Sequence, residues 1–309
     1  MKSEFNWNLY PQKLLNELKS YHKKVSYING DNNLPKFVFL CGKDISIENG
    51  GNRGIVSEFY KKVRKDIICV YSEELCKIFN IDIVDLLSFE EILAELSDSI
   101  ILFLESYGTA CELGAFAMKE NLLSKLLVFN GQEHFGKQTF INDGPIRKLI
   151  NRNENSVIYA DLKAFFANTK SYSSLIDFVS KNKTCKINLD EKNVKLNSFL
   201  IELLELIMIL GPINKRDLIF AYKYIKGFKN YNYSSEHDNK TIKTVQLKQL
   251  LQLLINLELI EQNTDKNLVI KNKQFEFKNF MFSMSFNQFN NIRSKVLCRK
   301  YRYKEGIIA

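Results

Sequence analysis

No run of about 18 apolar residues occurs in the sequence, so nothing in it reads as a bilayer-spanning helix. Met1–Tyr10 mixes Lys, Glu and Asn with apolar residues and lacks the apolar core of a signal peptide, which sets the expectation of a cytoplasmic chain. The six cysteines (Cys41, Cys69, Cys76, Cys111, Cys185 and Cys298) include no C-x-x-C pair, and that spacing argues against a disulfide framework and a zinc site. Cys41, Cys69 and Cys111 stand in apolar segments, where cysteine packs as a small hydrophobe. Only three histidines are present, His22, His134 and His237, too far apart to pair as ligands, so no metal site is expected. A G-x-G-x-x-G turn is missing after the first apolar strand, which sets a Rossmann dehydrogenase aside. No internal repeat is visible.

What is present is globular. The 309 residues, 45% apolar and 26% charged, suffice for two domains with their own cores. The charge of +9 is unevenly placed: Lys271–Ala309 holds nine Lys/Arg against two Glu, a net +7. Such a surface suits phosphate backbones, and a solvated basic tail explains it equally well.

The chain opens with a helix over 8–24, with Leu14, Leu15, Leu18 and Tyr21 at helical spacing. Apolar strands are expected at Lys36–Cys41, Asp66–Tyr71, Ser99–Leu104, Lys125–Phe129 and Ser156–Tyr159. Helices alternate with them: Ile55–Arg64 after a polar loop from Asp44 to Gly54, one opening at the capping box Ser88–Glu91, and Cys111–Asn121. This alternation predicts an α/β fold with a doubly wound parallel sheet. A charged stretch over Lys181–Lys195 marks the junction, giving domains of 1–185 and 190–309. Beyond it, helices at Leu196–Leu210, Asn214–Ile225 and Thr241–Leu259, then a turn and a strand at Leu268–Ile270, follow the order of a winged helix.

Ligands of an open parallel sheet bind beyond the carboxyl ends of its strands. Cys41–Asp44, Glu105–Glu112 and the segment from Asn130 onward qualify. The middle segment places Glu105 at a strand end and Glu112 in a first helical turn, with Ser106, Gly108 and Thr109 between them, where backbone N–H groups can face an anion. Two carboxylates flanking a sugar can cleave a glycosidic bond, the buried one stabilising positive charge at the anomeric carbon. A competing reading makes Thr109–Glu112 a capping box in which Glu112 only closes the helix end.

Phe37–Gly42, Asp98 and the run Gly108-Thr-Ala-Cys-Glu-Leu-Gly-Ala-Phe-Ala117 resemble the nucleoside 2-deoxyribosyltransferase family. Phe39–Gly42, Ser88–Glu95, Ile100–Phe103, Glu105-Ser106, Glu112–Phe116 and Phe140–Pro145 resemble, more specifically, bacterial retron effectors that join such a domain to a winged helix. The resemblance is densest over residues 37–150. It implies a flavodoxin-like sheet and a glutamate nucleophile at Glu112. It further implies an anti-phage toxin of the bacterial cytoplasm that works with a reverse transcriptase and its RNA–DNA product (msDNA) or non-coding RNA. Related effectors cleave the N-glycosidic bond of NAD and release nicotinamide, which makes NAD a substrate and leaves no cofactor to expect. An oligomeric assembly goes with this picture.

Two departures bear on the chemistry. Glu105 stands where the transferases carry an aspartate, and their C-terminal carboxylate from a neighbouring subunit has no counterpart here, which favours water over a second base as acceptor. The expected site is therefore Glu112 at C1′ of the nicotinamide riboside, Glu105 on ribose hydroxyls or as acid/base, and Asp98 as a supporting carboxylate or merely a strand-start residue. Cys41, Gly42, Asp44, Ser106, Gly108, Thr109 and Asn142 would line it, although a bare turn accounts for Asn142 as well. Arg53 reads as a surface loop arginine, with contact to phosphates as the alternative. Arg293, Lys295, Arg299, Lys300 and Arg302 are the candidate contacts to nucleic acid, with Phe289, Tyr301 and Tyr303 as stacking or packing rings. Nucleoside deoxyribosyl transfer, a non-catalytic nucleotide-sensing regulator that binds nucleic acid, and a toxin acting by assembly alone are the rival functions.

Overall fold

A computed structural model describes residues 5–22, 27–28, 36–43, 51–64, 66–73, 76, 90, 93–94, 97–165, 169–181, 187–188, 196–227, 230–234, 242–271 and 285–307. The chain divides into two compact units, Pro35–Cys185 and a second made of Met1–Leu34 with Lys186–Ala309. The N-terminal helix, α1 (Gln12–His22), thus belongs with the C-terminal unit and not with the α/β domain, where the sequence reading put it. Its apolar stripe decides this: Leu14, Leu15 and Leu18 are buried, and Asn16 accepts from the Tyr224 hydroxyl at 2.7 Å. Hydrophobic spacing reveals a buried face but not which element covers it.

The α/β unit is built on β1 (Lys36–Cys41), α2 (Gly51–Val63), β2 (Ile67–Val70), β3 (Ser99–Phe103), α3 (Tyr107–Ala117), β4 (Leu126–Gly131), α4 (Arg147–Arg152), β5 (Val157–Ala160) and α5 (Thr169–Lys181). All strand pairs are parallel, and the order β2-β1-β3-β4-β5 is the flavodoxin-like one. Burial is continuous along β1, β3 and β4, as strands covered on both faces require.

Side chains alternate between the two faces. Val38, Leu40, Ile101, Phe103, Leu127 and Phe129 form one core layer with Val56 and Tyr60 of α2 and Leu175 and Val179 of α5. Phe37, Phe39 and Cys41 therefore point to the other face, where Phe39 meets Phe116 of α3 edge-on with centroids 6.3 Å apart. The helix after the first strand starts earlier than its apolar pattern suggested, taking in Gly51–Gly54, so Arg53 lies in its first turn. Asp44 and Ser88 lie outside the described residues, whereas Glu90, Leu93 and Ala94 of the helix expected from Ser88 are helical and buried.

The second unit centres on α6 (Leu196–Leu210), apolar nearly all round and buried from Phe199 to Ile207. Around it lie α7 (Lys215–Lys226), the antiparallel hairpin β6 (Asn230–Ser234) and β7 (Ile242–Gln246), α8 (Leu247–Asn256), the hairpin β8 (Ile260–Gln262) and β9 (Leu268–Ile270), and α9 (Phe286–Lys304). The single helix expected over Thr241–Leu259 is instead a strand followed by a helix. β-branched Ile242, Thr244 and Val245 favour extended backbone, and a capping box between Gln246 and Gln249 starts α8. Among the described residues no helix is long and apolar enough to cross a membrane.

Candidate active site

In a sheet of this order the crevice opens where β1 and β3 diverge, beyond their carboxyl ends. The alternation that turns Phe39 toward α3 also turns Cys41 there. Glu112 precedes Phe116 by one helical turn on the same face, so it stands over the end of β1. The Cys41 thiol hydrogen-bonds the Glu112 carboxylate. Burial, then the charges of Glu112 and Glu90, hold that thiol well above its usual pKa, so Cys41 acts as a neutral donor. The buried Oε2 of Glu112 has no hydrogen-bond partner. Burial raises the pKa of Glu112, while the Cys41 hydrogen bond and the Arg53 guanidinium pull it back.

The N-terminus of α3 settles the competing reading. Ser106 is the N-cap and Thr109 the third helical residue, and their side chains complete the capping box. The Thr109 hydroxyl also accepts from the N–H groups of Glu105 and Ser106 at 3.1 and 3.0 Å. Glu112 consequently sits in the second turn and takes no part in capping. Ser106 and Thr109 shape the strand-to-helix turn, and exposed Gly108 lies within it. Glu105 accepts from the Asn52 amide at 2.6 Å and from the Lys43 backbone N–H at 3.3 Å.

Arg53 is 2% exposed, and its guanidinium forks onto Glu73 with bonds of 2.7 and 3.1 Å. The expectation of a surface loop arginine fails because the helix begins before it and turns it inward. A side chain on Gly42 would place its Cβ 2.9 Å from the Arg53 Cγ, so glycine leaves the space that the arginine stem occupies. Glu90, buried beside this cluster, has its pKa pushed up to about 8 by burial and then by the Glu112 charge. Its Oε2 also lacks a partner. Sequence reasoning missed Glu90: it lies in the run Ser88–Glu95 that carries the resemblance, but the polar pair Glu90-Glu91 reads as a solvated helix start.

Other expected site residues serve elsewhere. Asp98 precedes β3, at the sheet edge opposite the crevice, roughly 16 Å of strand away. Its carboxylate accepts from the Phe37 N–H at 2.9 Å and its N–H donates to the Phe37 carbonyl at 2.8 Å, so it clamps β1 to β3. Asn142 donates to the carbonyls of His134 and Lys137, both at 2.8 Å, and ties down the loop after β4. Cys111 is exposed, not packed in an apolar environment. No cluster of three His, Cys, Asp or Glu suited to a metal occurs among the described residues.

The basic residues of α9 are largely engaged within their own unit. Arg293 donates to the carbonyls of Ile209 and Gly211, and Lys300 to those of Leu210 and Pro212, so two cations close the carboxyl end of α6. Lys295 pairs with Glu17 at 3.2 Å, and Arg299 donates to the Asn8 carbonyl at 2.9 Å. Four of the five cations expected to meet phosphates thus have intramolecular partners, while Arg302, Tyr301 and Tyr303 are exposed and Phe289 is buried. A charge count cannot tell which cations face inward.

The family model of the STM3845 retron effector protein matches residues 49–262. The chain belongs to this retron effector family. It is 32% identical over 251 residues to the Escherichia coli "Retron Ec86 putative ribosyltransferase/DNA-binding protein", covering 75% of this chain and 76% of that one. It is also 27% identical over 219 residues to the corresponding Retron Ec73 protein of Escherichia coli, covering 64% and 69% of the two chains. The match runs through both units of this retron effector, from α2 to β8.

Proposed function

We propose that this retron effector hydrolyses the N-glycosidic bond of NAD or a related nucleotide, releasing nicotinamide or a base. The observation that carries this reading is the Glu112 carboxylate: half-buried at the switch point, held through Cys41, and left with one buried oxygen that has no partner. Names of relatives that include ribosyltransferase support the reaction class.

In this reaction Glu112 Oε2 attacks C1′, or faces it as positive charge develops, while the C1′–N bond breaks and its electron pair leaves on the departing ring. Nicotinamide departs from a pyridinium as a neutral molecule and needs no proton. Glu105, fixed by Asn52 and the Lys43 N–H, receives the ribose hydroxyls. Water then attacks C1′, returns the Glu112 carboxylate and gives up its proton to Glu105. Glu90, neutral below about pH 8, spares Glu112 a second negative charge and can protonate a leaving base that needs it. Arg53 balances the carboxylates from behind.

The order α6, α7, hairpin, α8, hairpin supports a winged-helix reading of the second unit, as do the relatives named DNA-binding. In this account the effector acts in the bacterial cytoplasm as an antiviral toxin, in an oligomeric complex with a reverse transcriptase and msDNA that controls it. Nucleic-acid contact on α9 then falls to Arg302 with Tyr301 and Tyr303. The test is nicotinamide release from NAD by the protein alone and with its retron partners. Base transfer between nucleosides, the reading that the relatives' names favour, would show as a new nucleoside product without free ADP-ribose. Turnover of neither kind would leave a nucleotide-sensing regulator.

A further inference from the structure

The carboxyl edge of the sheet carries aromatic rings that the proposed reaction does not use. Tyr107, the first residue of α3, is 95% exposed, and Phe140, which opens the helical segment leading into the π-turn Asn142–Ile146, is 88% exposed. Phe135, in the loop between β4 and that segment, is 66% exposed and meets Tyr159 edge-on with centroids 5.0 Å apart. These rings stand on adjoining elements, since α3 packs against the π-turn Asn142–Ile146 that follows the loop.

The loop is firmly tethered. Asn142 donates to the carbonyls of His134 and Lys137, its N–H donates to the Thr139 hydroxyl at 3.2 Å, and the Asp143 N–H donates to the Thr139 carbonyl at 2.8 Å. Gly144 offers no side chain against the Phe140 ring, whose atoms would lie 3.9 Å from a Cβ there. A tethered backbone that holds apolar rings in water at the carboxyl edge of the sheet, the edge that also carries the unpartnered Glu112 oxygen, marks a ligand surface. Flat faces of this kind accept any nucleobase, because stacking asks for a π-surface and no particular edge.

We propose that Tyr107 and Phe140 form a stacking platform for the second, non-departing nucleobase of a dinucleotide substrate. This rests on the reading of Glu112 as the centre of N-glycosidic cleavage. The sugar under attack sits at Glu112 and Glu105, and Tyr107 lies only two residues beyond Glu105. Nicotinamide mononucleotide, which carries only the departing base, fills the sugar site and leaves the platform empty, whereas AMP carries the base that the platform receives, so the platform favours the dinucleotide over nicotinamide mononucleotide.

The experiment uses the full chain and two readouts. AMP binding by titration calorimetry needs no turnover: wild type and Glu112→Gln should bind alike, and Tyr107→Ala or Phe140→Ala should each bind about 10-fold more weakly. In nicotinamide release, each variant should raise KM for NAD about 10-fold and leave KM and kcat for nicotinamide mononucleotide unchanged. AMP binding that is absent, or indifferent to both substitutions, overturns the platform and returns these rings to contact with a protein partner. An equal rise in KM for the mononucleotide also overturns it. If no substrate is cleaved but AMP binds in a ring-dependent way, the catalytic reading falls and the platform stands.

Discussion

Replacing Asp98 by alanine separates a clamp from a catalyst. The substitution removes the acceptor of the Phe37 N–H, a 2.9 Å bond between two residues that are each almost wholly buried. The stranded donor cannot reach water, and a hydrogen bond to an ionised acceptor contributes about 1.5–3 kcal/mol. We therefore expect a loss of about 2–3 kcal/mol in the α/β unit, a large share of a domain's ~5–15 kcal/mol. With a urea slope of about 2 kcal/mol/M, that unit's midpoint should fall by about 1 M. Asp98→Asn keeps an acceptor oxygen and should lose about half as much. Urea unfolding followed by circular dichroism reads the shift, and nicotinamide release under folding conditions reads the chemistry. Turnover should stay within about threefold of wild type, because no atom of Asp98 reaches the crevice. An unchanged midpoint together with a loss of 100-fold or more in activity would refute the clamp.

Other expectations follow from the same geometry. Glu90 holds its proton to about pH 8 in the folded state, whereas an unfolded glutamate loses it near pH 4.3. The native state binds the extra proton across that window, so stability should fall as pH rises from about 5 to 8, and Glu90→Gln should flatten the slope. The same variant should keep nicotinamide release and lose its decline above about pH 8. Gly42→Ala would push a methyl against the Arg53 stem at 2.9 Å; activity should drop about 10-fold from a displacement of less than an ångström, as steady-state kinetics would show. Arg293→Ala strips the donor from two carbonyls at the end of α6 and should cost the second unit about 2 kcal/mol in thermal unfolding. Its effect on the salt dependence of nucleic-acid binding should be negligible, in contrast to Arg302→Ala, which should lower that slope by about one phosphate contact.

The sheet was legible because each strand is a short apolar run between turn residues, and the alternation with helices leaves few other arrangements. Its carboxyl edge followed, and with it Cys41, Gly42, Glu105 and Glu112 as neighbours. The function of single side chains was less legible. Ser106-x-x-Thr109 and Thr109-x-x-Glu112 both satisfy a capping pattern, and only the backbone angles of Ser106 choose the first. Arg53 and Glu90 carry charge, which argues for the surface until a buried counter-charge or a raised pKa explains them. Asp98 was legible as a strand-start residue, the alternative to a supporting role in the site, but its bond to the Phe37 N–H was not, because that partner lies 61 positions away in the sequence. The cations of α9 were misplaced for the same reason: composition counts charges, and only packing shows which of them meet the carbonyls of Ile209 to Pro212.

The most direct test of the central claim is nicotinamide release from NAD by wild type and by Glu112→Gln, each alone and assembled with reverse transcriptase and msDNA. The substitution keeps the size of the side chain and removes the charge that faces C1′. The account predicts release by wild type in at least one assembly state and a loss of 1000-fold or more, ~4 kcal/mol of transition-state stabilisation, in the variant. Equal release by both proteins, or none from wild type in any assembly, would contradict it.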